Sequence, residues 1–305
     1  MCVQSDAWAY VSPPLLGVTF SFGVCCTDAD LGGAVDAMLA PLRADGSSPC
    51  ADHWFELHHG AGPDRDGFRL SLDGQLLVSA ACAASALAWL LWHLNRAVAA
   101  AAHEHVLLHA GGIARGDVGV VFPAPSGAGK STLVGGLVRR GMGYMSDELL
   151  GLSLDGPWLV PFPKPLSMAS DTGVLLFGPA WAHETSSPFR RGSVPVEPDR
   201  LRPGSVVTGP IDAKVMVVPR YRPGERSTLV PIAPEDAVIE LALNAVNLPR
   251  LRGRGVHALG VMARRCTSFR LEMSDLDEAC ALVEDAVDEI AGSPHRAAAS
   301  ATAPG

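Results

Sequence analysis

The chain has 305 residues, of which 48% are hydrophobic and 18% charged, a composition that indicates a globular protein and excludes a disordered one. Its formal net charge of −8 argues against a nucleic-acid-binding protein, because such a protein needs a basic face to neutralise phosphates. The cysteines form no CxxC pair and no zinc-type spacing, and the N-terminus shows no signal-peptide pattern. A cytoplasmic protein with reduced thiols is therefore expected.

The first hundred residues predict a small α+β unit. Its expected elements are a strand over 16–24, a helix over 28–42, a strand over 53–59, a hairpin over 67–80 and a helix over 83–103. The dipeptide Asp73-Gly74 is a strong type I′ turn signal for the hairpin. Three histidines in the 53–59 strand are candidate metal ligands, but no cysteine or carboxylate spacing supports them, so a structural role is favoured.

Residues 76–92 carry no charge for 17 positions, which is close to the minimum length of a transmembrane helix. Two features favour a different interpretation. The segment begins inside the predicted hairpin, and it continues with Leu87, Leu90, Leu94 and Val98 at helical spacing. The sequence therefore predicts a buried amphipathic helix and no membrane span.

A second unit is expected from residue 104. Its predicted elements are strands over 106–114 and 118–123, a helix over 131–140, a strand pair over 144–154, a strand over 213–221, a helix over 234–247, a strand over 266–273 and a helix capped by Ser274 that runs to residue 290. Residues 155–212 show no clear periodicity and suggest an irregular insertion over the functional site of this unit. The predicted boundaries are 1–103 for the N-terminal domain, 104–291 for the second domain and 292–305 for a disordered tail.

The most specific motif is the loop APSGAGKST, residues 124–132, between a predicted strand and a predicted helix. It matches the phosphate-binding pattern G-x-x-x-x-G-K-[ST], with Ala124 in place of the first glycine. Small residues let backbone N–H groups point at phosphate oxygens, and the helix N-terminus adds a partial positive charge. The residues expected to bind ATP are Ser126, Gly127, Ala128, Gly129, Lys130, Ser131 and Thr132. Lys130 would reach the β- and γ-phosphates, and Ser131 would coordinate Mg²⁺.

Two adjacent carboxylates, Asp147 and Glu148, begin 17 residues after Lys130, at the end of a predicted strand. Such a pair can divide two tasks, because one carboxylate can hold a metal while the other accepts the proton of an attacking hydroxyl. The alternative is an exposed acidic turn. The position beside the loop favours the catalytic interpretation.

These motifs together resemble the core of the HPr kinase/phosphorylase family and its shorter relatives. The resemblance covers roughly residues 104–290 and is strongest over 106–150, where His109-Ala110, the run from Ser126 to Ser131 and Asp147-Glu148 match the family's pattern. It implies an α/β fold, a P-loop kinase domain with a phosphoenolpyruvate-carboxykinase-like mixed sheet, here preceded by the small α+β domain. Some of the shorter relatives phosphorylate a peptide serine in natural-product biosynthesis.

The resemblance also implies roles for individual residues. Asp147 would be the general base, Glu148 a direct or water-mediated metal ligand, and His109 a residue lining the phosphoryl site, with a core histidine as the alternative. Lys164, between prolines in PFPKPL, would place a cation near the transferred phosphoryl group.

Two departures from the family pattern bear on the substrate. The acidic pair is Asp-Glu instead of two aspartates, and the family's Gly-Arg-Asn loop appears as Pro234-Glu235-Asp236. These departures leave both phosphorylase activity and HPr as the acceptor as open questions. The candidates to replace the lost arginine are Arg220, Arg250, Arg252 and Arg254, among which the sequence does not choose.

The predicted function is an ATP-dependent kinase that phosphorylates a hydroxyl, with Ser or Thr of a peptide or protein as the expected acceptor. One alternative is a small-molecule kinase for an amino acid or sugar, and another is a nucleotide-dependent binding or regulatory protein. No nucleic acid and no membrane is expected as a partner. A homo-oligomer is an open alternative, because bifunctional members of the family assemble as oligomers.

Overall fold

The computed structural model describes residues 8–44, 50–60, 67–181 and 193–292. In the N-terminal part of this described chain, six strands form one sheet, with β3 and β4 parallel and the other neighbours antiparallel. The strands are β1 (Tyr10–Val11), β2 (Leu15–Gly17), β3 (Phe20–Cys26), β4 (His53–His59), β5 (Phe68–Leu72) and β6 (Gln75–Ala80). The helices α1 (Ala29–Leu39) and α2 (Ala83–Ala101) share a hydrophobic core with this sheet, and a short 3₁₀ turn (Ala40–Leu42) follows α1.

The structure confirms most of the predicted N-terminal elements. Asp73 and Gly74 have φ angles of 51° and 78°, the positive values that a type I′ turn requires. The predicted strand over 16–24 is wrong, because β2 and β3 are the two arms of a hairpin. The turn between them includes Val18 at φ 57°. A β-branched residue rarely adopts this conformation, so a valine at this position does not indicate a turn.

The uncharged segment 76–92 is divided between β6 and α2, as the hairpin and helix patterns predict. Leu90, Leu94 and Val98 of α2 are fully buried, which confirms the helical stripe. Among the described residues, none of the helices combines the length and the apolar character that crossing a bilayer would need.

The following part of the chain forms a mixed sheet, to which nine strands of the described residues belong. Its path is β10-β8-β9-β15-β12-β11-β7, and β17 joins it beside β15, with β16 at the edge of β17. The strands are β7 (His105–Leu108), β8 (Ala110–Arg115), β9 (Val118–Pro123), β10 (Gly143–Ser146), β11 (Leu150–Ser153), β12 (Trp158–Val160), β15 (Ile211–Tyr221), β16 (Thr228–Pro231) and β17 (Thr267–Met273). Strands β9, β15 and β17 are parallel, which gives the α/β fold a mixed sheet.

Helices cover both faces of the central strands. The helices are α3 (Lys130–Arg139), α4 (Ser170–Phe177), α5 (Pro198–Leu201), α6 (Pro234–Leu243), α7 (Leu248–Arg265) and α8 (Leu276–Gly292). On β9, Val120 and Phe122 pack in the cluster of α3 and α8, whereas Val121 packs in the cluster of α6 and α7. This alternation explains why the central strands are apolar on both faces.

The predicted strand over 106–114 is wrong, because it consists of two strands in different parts of the sheet. Strand β7 pairs with β11, and β8 pairs with β9 and β10. His109 lies at the break, where its backbone N–H donates to the Asn244 carbonyl at 2.7 Å. The Ala110 N–H donates to the Glu148 carbonyl at 3.2 Å, so the backbone leaves the strand ladder at this point. Strands β10 and β11 of the predicted pair likewise bond to β8 and β7 and not to each other.

Residues 155–212 contain more regular structure than the sequence predicts. They include β12, α4, α5 and a two-stranded sheet of β13 (Leu166–Ala169) and β14 (Ser193–Val196), elements too short for periodicity to reveal. Helix α7 also escaped prediction. It has a kink at Arg252, where φ is 51°. Its many polar residues make the apolar periodicity of the helix hard to recognise in the sequence.

The remaining boundaries differ by a few residues. Asp275 caps α8, because its side chain accepts the Glu278 N–H at 2.9 Å, so the expected cap Ser274 is wrong by one position. The predicted tail lies outside the described residues from position 293 onward. The domain boundary at residue 103 stays a prediction, and Leu107, Leu149 and Phe162 pack into the N-terminal core.

Asn247 fixes the connection between α6 and α7 to the edge of β7. Its Oδ1 accepts the Leu107 N–H at 2.9 Å, and its Nδ2 donates to the carbonyls of Ala102 and His105 at 2.9 Å each. The residue is 4% exposed, so these partners have little access to water. The link holds the chain just before the break at His109.

Asn247→Ala should therefore lower the free energy of unfolding by about 2–4 kcal/mol, because it leaves three backbone groups unpaired. The measurement is urea denaturation. Asn244→Ala is the control, because the Asn244 side chain donates only to the Glu240 carbonyl and its loss should cost about 1 kcal/mol. Equal losses in the two variants would contradict this role of Asn247.

Candidate active site

The loop between β9 and α3 has the strand-loop-helix arrangement that its sequence predicts. Gly127 and Gly129 have φ angles of 86° and 91°, values that favour glycine. A Cβ on Gly129 would also lie 2.1 Å from the Met273 methyl carbon. Ala124, the departure from the family pattern, is fully buried at the start of the loop.

Lys130 is the first residue of α3, and its ammonium group closes the loop. Its Nζ donates to the carbonyls of Ala124 at 2.6 Å and Pro125 at 2.9 Å. Burial lowers the pKa of Lys130 to about 8, against the opposing effect of Asp147 and Glu148. The lysine therefore lies in a site that disfavours its charge and would be stabilised by an added anion.

Asp147 is 2% exposed and connects the loop to the two-stranded sheet. Its Oδ2 accepts the Ser131 hydroxyl at 2.9 Å and the Ser167 N–H at 3.0 Å. The Tyr144 hydroxyl lies 3.3 Å from Oδ1, but its shorter hydrogen bond, 2.8 Å, goes to the Lys164 carbonyl. Burial, followed by the charge of Asp147, raises the pKa of Tyr144, so its hydroxyl stays protonated.

Glu148 points in a different direction and forms an ion pair with Lys164. Its Oε2 accepts from Lys164 Nζ at 2.7 Å and from Asn95 Nδ2 at 3.0 Å. The charge of Lys164 lowers the pKa of Glu148 to about 2, although its side chain is 42% exposed. Burial alone would lower the pKa of Lys164, but the charges of Glu148 and Asp147 outweigh it and raise that pKa. Both groups are therefore ionised at neutral pH.

His109, Lys130, Ser131, Asp147 and Glu148 line one open cavity of about 740 Å³. We call it the loop cavity. The half-buried ring of His109 has a pKa lowered by burial and by the charge of Lys130, so it is neutral at pH 7. A neutral imidazole can accept a hydrogen bond through one nitrogen.

The loop residues expected to bind ATP do not all face this cavity. Ser126, Gly127, Gly129 and Thr132 line it, whereas the Ala128 side chain does not. The Thr132 hydroxyl also lies 2.8 Å from that of Thr172 on α4.

Two predicted partners are arranged differently from the expectation. Lys164 lies behind Glu148, outside the lining of the loop cavity, and reaches the site through that carboxylate. Ser131 and Glu148 are the predicted metal pair, but the Ser131 hydroxyl contacts Asp147 instead. Among the described residues, no arginine lines the loop cavity, and Arg220 pairs with Glu240 at 3.3 Å.

Sequence reasoning missed Tyr144, Ser167 and Asn95, which position the two carboxylates. Asn95 lies on α2, 53 positions before Glu148, and Ser167 is an ordinary polar residue in an irregular segment. Neither carries a local signal. Only the approach of α2 and β13 to the loop brings them to the site.

The residues present fit a magnesium ion better than a metal held by protein alone. The described residues contain no cluster of three or more His, Cys, Asp or Glu side chains that could hold a metal, in the N-terminal strand or elsewhere. His53 and His59 pair instead with Asp73 at 2.8 Å and Asp28 at 3.0 Å. Ser131 and Asp147 offer hard oxygen atoms beside the loop, as expected where Mg²⁺ is bound mainly through phosphates and water.

Comparisons with known proteins give little beyond this geometry. No protein-family model matches the chain, and no curated protein matches it. Among solved structures, it is similar to the HPr(Ser) kinase/phosphatase from Coxiella burnetii, at 14% identity and a TM-score of 0.32. The match covers 61% of this chain and 99% of that one. A TM-score this low indicates at most a distant structural relationship.

Gly129→Ala should weaken ATP binding at least tenfold, because the positive φ disfavours a Cβ and the loop must deform. Isothermal titration calorimetry with Mg²⁺ and ATP measures this loss. Gly141→Ala is a matched control, since Gly141 has a φ of 111° and open space where the added Cβ would lie. If both variants bound ATP equally well, the loop conformation would not matter for binding.

The pKa of Lys130 predicts a pH dependence of ATP binding. In the protein without ATP the pKa of Lys130 is about 8, and phosphate oxygens beside Nζ would raise it. Above pH 8, Lys130 therefore has to gain a proton when ATP binds, which weakens binding as the pH rises. Affinity should fall roughly tenfold between pH 7.5 and 9.5. Lys130→Arg keeps its charge and should show a flat profile over this range. A flat profile for the unaltered protein would contradict the prediction.

Proposed function

We propose that this protein is an ATP-dependent kinase that transfers the γ-phosphoryl group to a hydroxyl, most directly that of Ser or Thr in a peptide or protein. One observation carries the proposal. Lys130 and Ser131, at the start of α3, line the same open cavity as Asp147 and Glu148. A phosphate-binding loop alone fits any nucleotide-binding protein. Two carboxylates beside it supply what transfer to a hydroxyl needs.

ATP would bind with its phosphates at the loop and the N-terminus of α3. Backbone N–H groups of the first turn and the partial positive charge of the helix favour an anion there. Lys130 would leave its bonds to the carbonyls of Ala124 and Pro125 and pair with the β- and γ-phosphates. This exchange relieves a buried, destabilised ammonium group, so it favours binding.

Mg²⁺ would be held by the Ser131 hydroxyl and an acidic side chain together with the phosphates, and it would neutralise charge that develops during transfer. Glu148 would be that acid and would act through a water molecule, because the Ser131 hydroxyl contacts Asp147 and not Glu148. The low pKa of Glu148 makes it a weak proton acceptor, which supports Asp147 as the base. We therefore retain Asp147 as the base and Glu148 as a water-mediated metal ligand.

The remaining residues would act on charge and orientation. Neutral His109 can accept a hydrogen bond from the attacking hydroxyl or from a water molecule in the cavity. Lys164 would hold Glu148 ionised and correctly oriented, and its buried charge would add to the positive potential near the phosphoryl group. Because phosphoryl transfer needs little covalent help, positioning and electrostatics supply most of the rate.

The open form of the cavity favours a peptide or protein acceptor over a small metabolite, which would need an enclosed polar pocket. The homo-oligomer and the cytoplasmic location stay predictions.

Asp147→Asn tests the role of the base. It should keep ATP affinity within about threefold and lower phosphoryl transfer by about 10²–10⁴-fold, the usual contribution of a general base. An amide oxygen can still accept from Ser131 or Ser167, so the fold should persist. Transfer of labelled phosphate from ATP to peptides, with calorimetric ATP binding, gives both quantities.

Two comparison variants make the test specific. Lys130→Ala should lose both ATP affinity and transfer, and Asp155→Asn, at an exposed turn, should lose neither. Full transfer by Asp147→Asn would exclude Asp147 as the base. A loss of ATP affinity as large as that of Lys130→Ala would instead identify Asp147 as part of the nucleotide site.

A further inference from the structure

A second cavity of about 320 Å³ adjoins the loop cavity on the side away from the phosphate-binding loop. Its wall is one face of α2, formed by Ser85, Ala88, Trp89 and Trp92, and its other side includes Pro165 and Pro195. We call this cavity the tryptophan groove. The two cavities share Glu148, Ser167 and Ser193 in their linings, so they meet at Glu148.

We propose that the tryptophan groove binds an extended segment of the acceptor peptide and selects peptides with a large apolar or aromatic side chain close to the phosphorylated Ser or Thr. The proposal rests on the kinase function above and adds the chemical class of the acceptor. It commits to a peptide as the occupant, for reasons of position, surface chemistry and length.

The position follows from the carboxylates. The predicted phosphate site occupies one side of Asp147 and Glu148, so an acceptor hydroxyl has to approach from the other side for in-line transfer. The tryptophan groove opens there. Asn95, on the same helix as the two tryptophans, donates directly to Glu148 at 3.0 Å, so this wall of the groove is anchored to that carboxylate.

The surface chemistry favours an apolar side chain. Trp92 is 45% exposed, and its ring packs edge-on against Trp89 with the centroids 5.5 Å apart. Among the described lining residues, the charged ones are Glu148 and Lys164, which are paired with each other at 2.7 Å. A charged ligand side chain would thus lose water and gain no unpaired partner from the lining itself, and Arg96, outside the lining, already stacks over the Trp92 ring at 4.7 Å. An aromatic side chain would instead bury apolar area.

The length favours a peptide over a metabolite. The groove follows α2 from Ser85 to Asn95, ten positions along the helix. At 1.5 Å per residue this span is about 15 Å, which four or five extended residues would cover. Free serine or a sugar would occupy only the end beside Glu148. Trp92 lies about one helical turn from Asn95, so it would meet a side chain one or two residues from the acceptor.

The test uses the full-length protein, Mg²⁺, labelled ATP and heptapeptides with a central serine in a Gly/Ala background. Phe, Asp or Lys is placed at each of the three positions on either side. At the best position, Phe should raise kcat/KM about tenfold over Asp or Lys, an effect within what burying the ring supplies. Trp92→Ala should remove this preference by raising KM about tenfold with kcat nearly unchanged, and Trp92→Phe should restore most of it.

Trp158→Ala is the matched control, because Trp158 is 48% exposed and lines neither cavity. It should behave like the unaltered protein. ATP binding should be the same in all variants. Calorimetry with the best Phe peptide, in the presence of Mg²⁺ and a non-hydrolysable ATP analogue, measures acceptor binding without transfer.

The outcomes separate this inference from the kinase function. Transfer without a preference for Phe, or with equal effects of Trp92→Ala and Trp158→Ala, would overturn the groove and leave the kinase standing. Faster transfer to free serine or to a sugar would do the same. Peptide binding that depends on Trp92, without any transfer, would support the groove and overturn the kinase. The absence of both peptide binding and peptide transfer would overturn the peptide groove, and ATP binding and turnover would then decide the kinase separately.

Discussion

The carboxylate of Asp147 holds together three parts of the chain that the site depends on. It accepts the Ser131 hydroxyl from the first turn of α3 and the Ser167 N–H from β13, and it follows directly on β10. A buried carboxylate needs such partners, because an unpaired charge with 2% exposure would be costly. The same bonds fix the distance between the predicted phosphate site and the predicted acceptor side.

The neighbouring charges extend this constraint in two directions. Lys130 is held in the loop by two carbonyl groups and has a lowered pKa, so the loop attracts an anion before any acceptor arrives. Lys164 is buried and paired with Glu148, and Asn95 adds a bond from α2 to the same carboxylate. Helix α2 thereby contributes directly to the candidate site. We propose that this contact serves acceptor recognition.

How much could be predicted from the sequence depended on whether the signal was local. The loop and its helix, the Asp73-Gly74 turn and the buried stripe of α2 are local patterns, and the structure confirms all three elements. The break at His109 was not predictable, because backbone bonds to residues 148 and 244, far away in the chain, create it. Ser167 and Asn95 escaped for the same reason. Asp147 contacts Ser131 and Glu148 contacts Lys164. These tertiary contacts could not be predicted from the spacing of the residues in the sequence.

The most direct test of nucleotide binding at the loop is a crystal structure with Mg²⁺ and a non-hydrolysable ATP analogue. We expect triphosphate oxygens at the N–H groups of residues 127–131, Lys130 Nζ on the β- and γ-phosphates, and the metal on the Ser131 hydroxyl. We also expect Asp147 to face the γ-phosphate inside the loop cavity. Nucleotide bound elsewhere, with Lys130 still bonded to the Ala124 and Pro125 carbonyls at saturation, would exclude this nucleotide site.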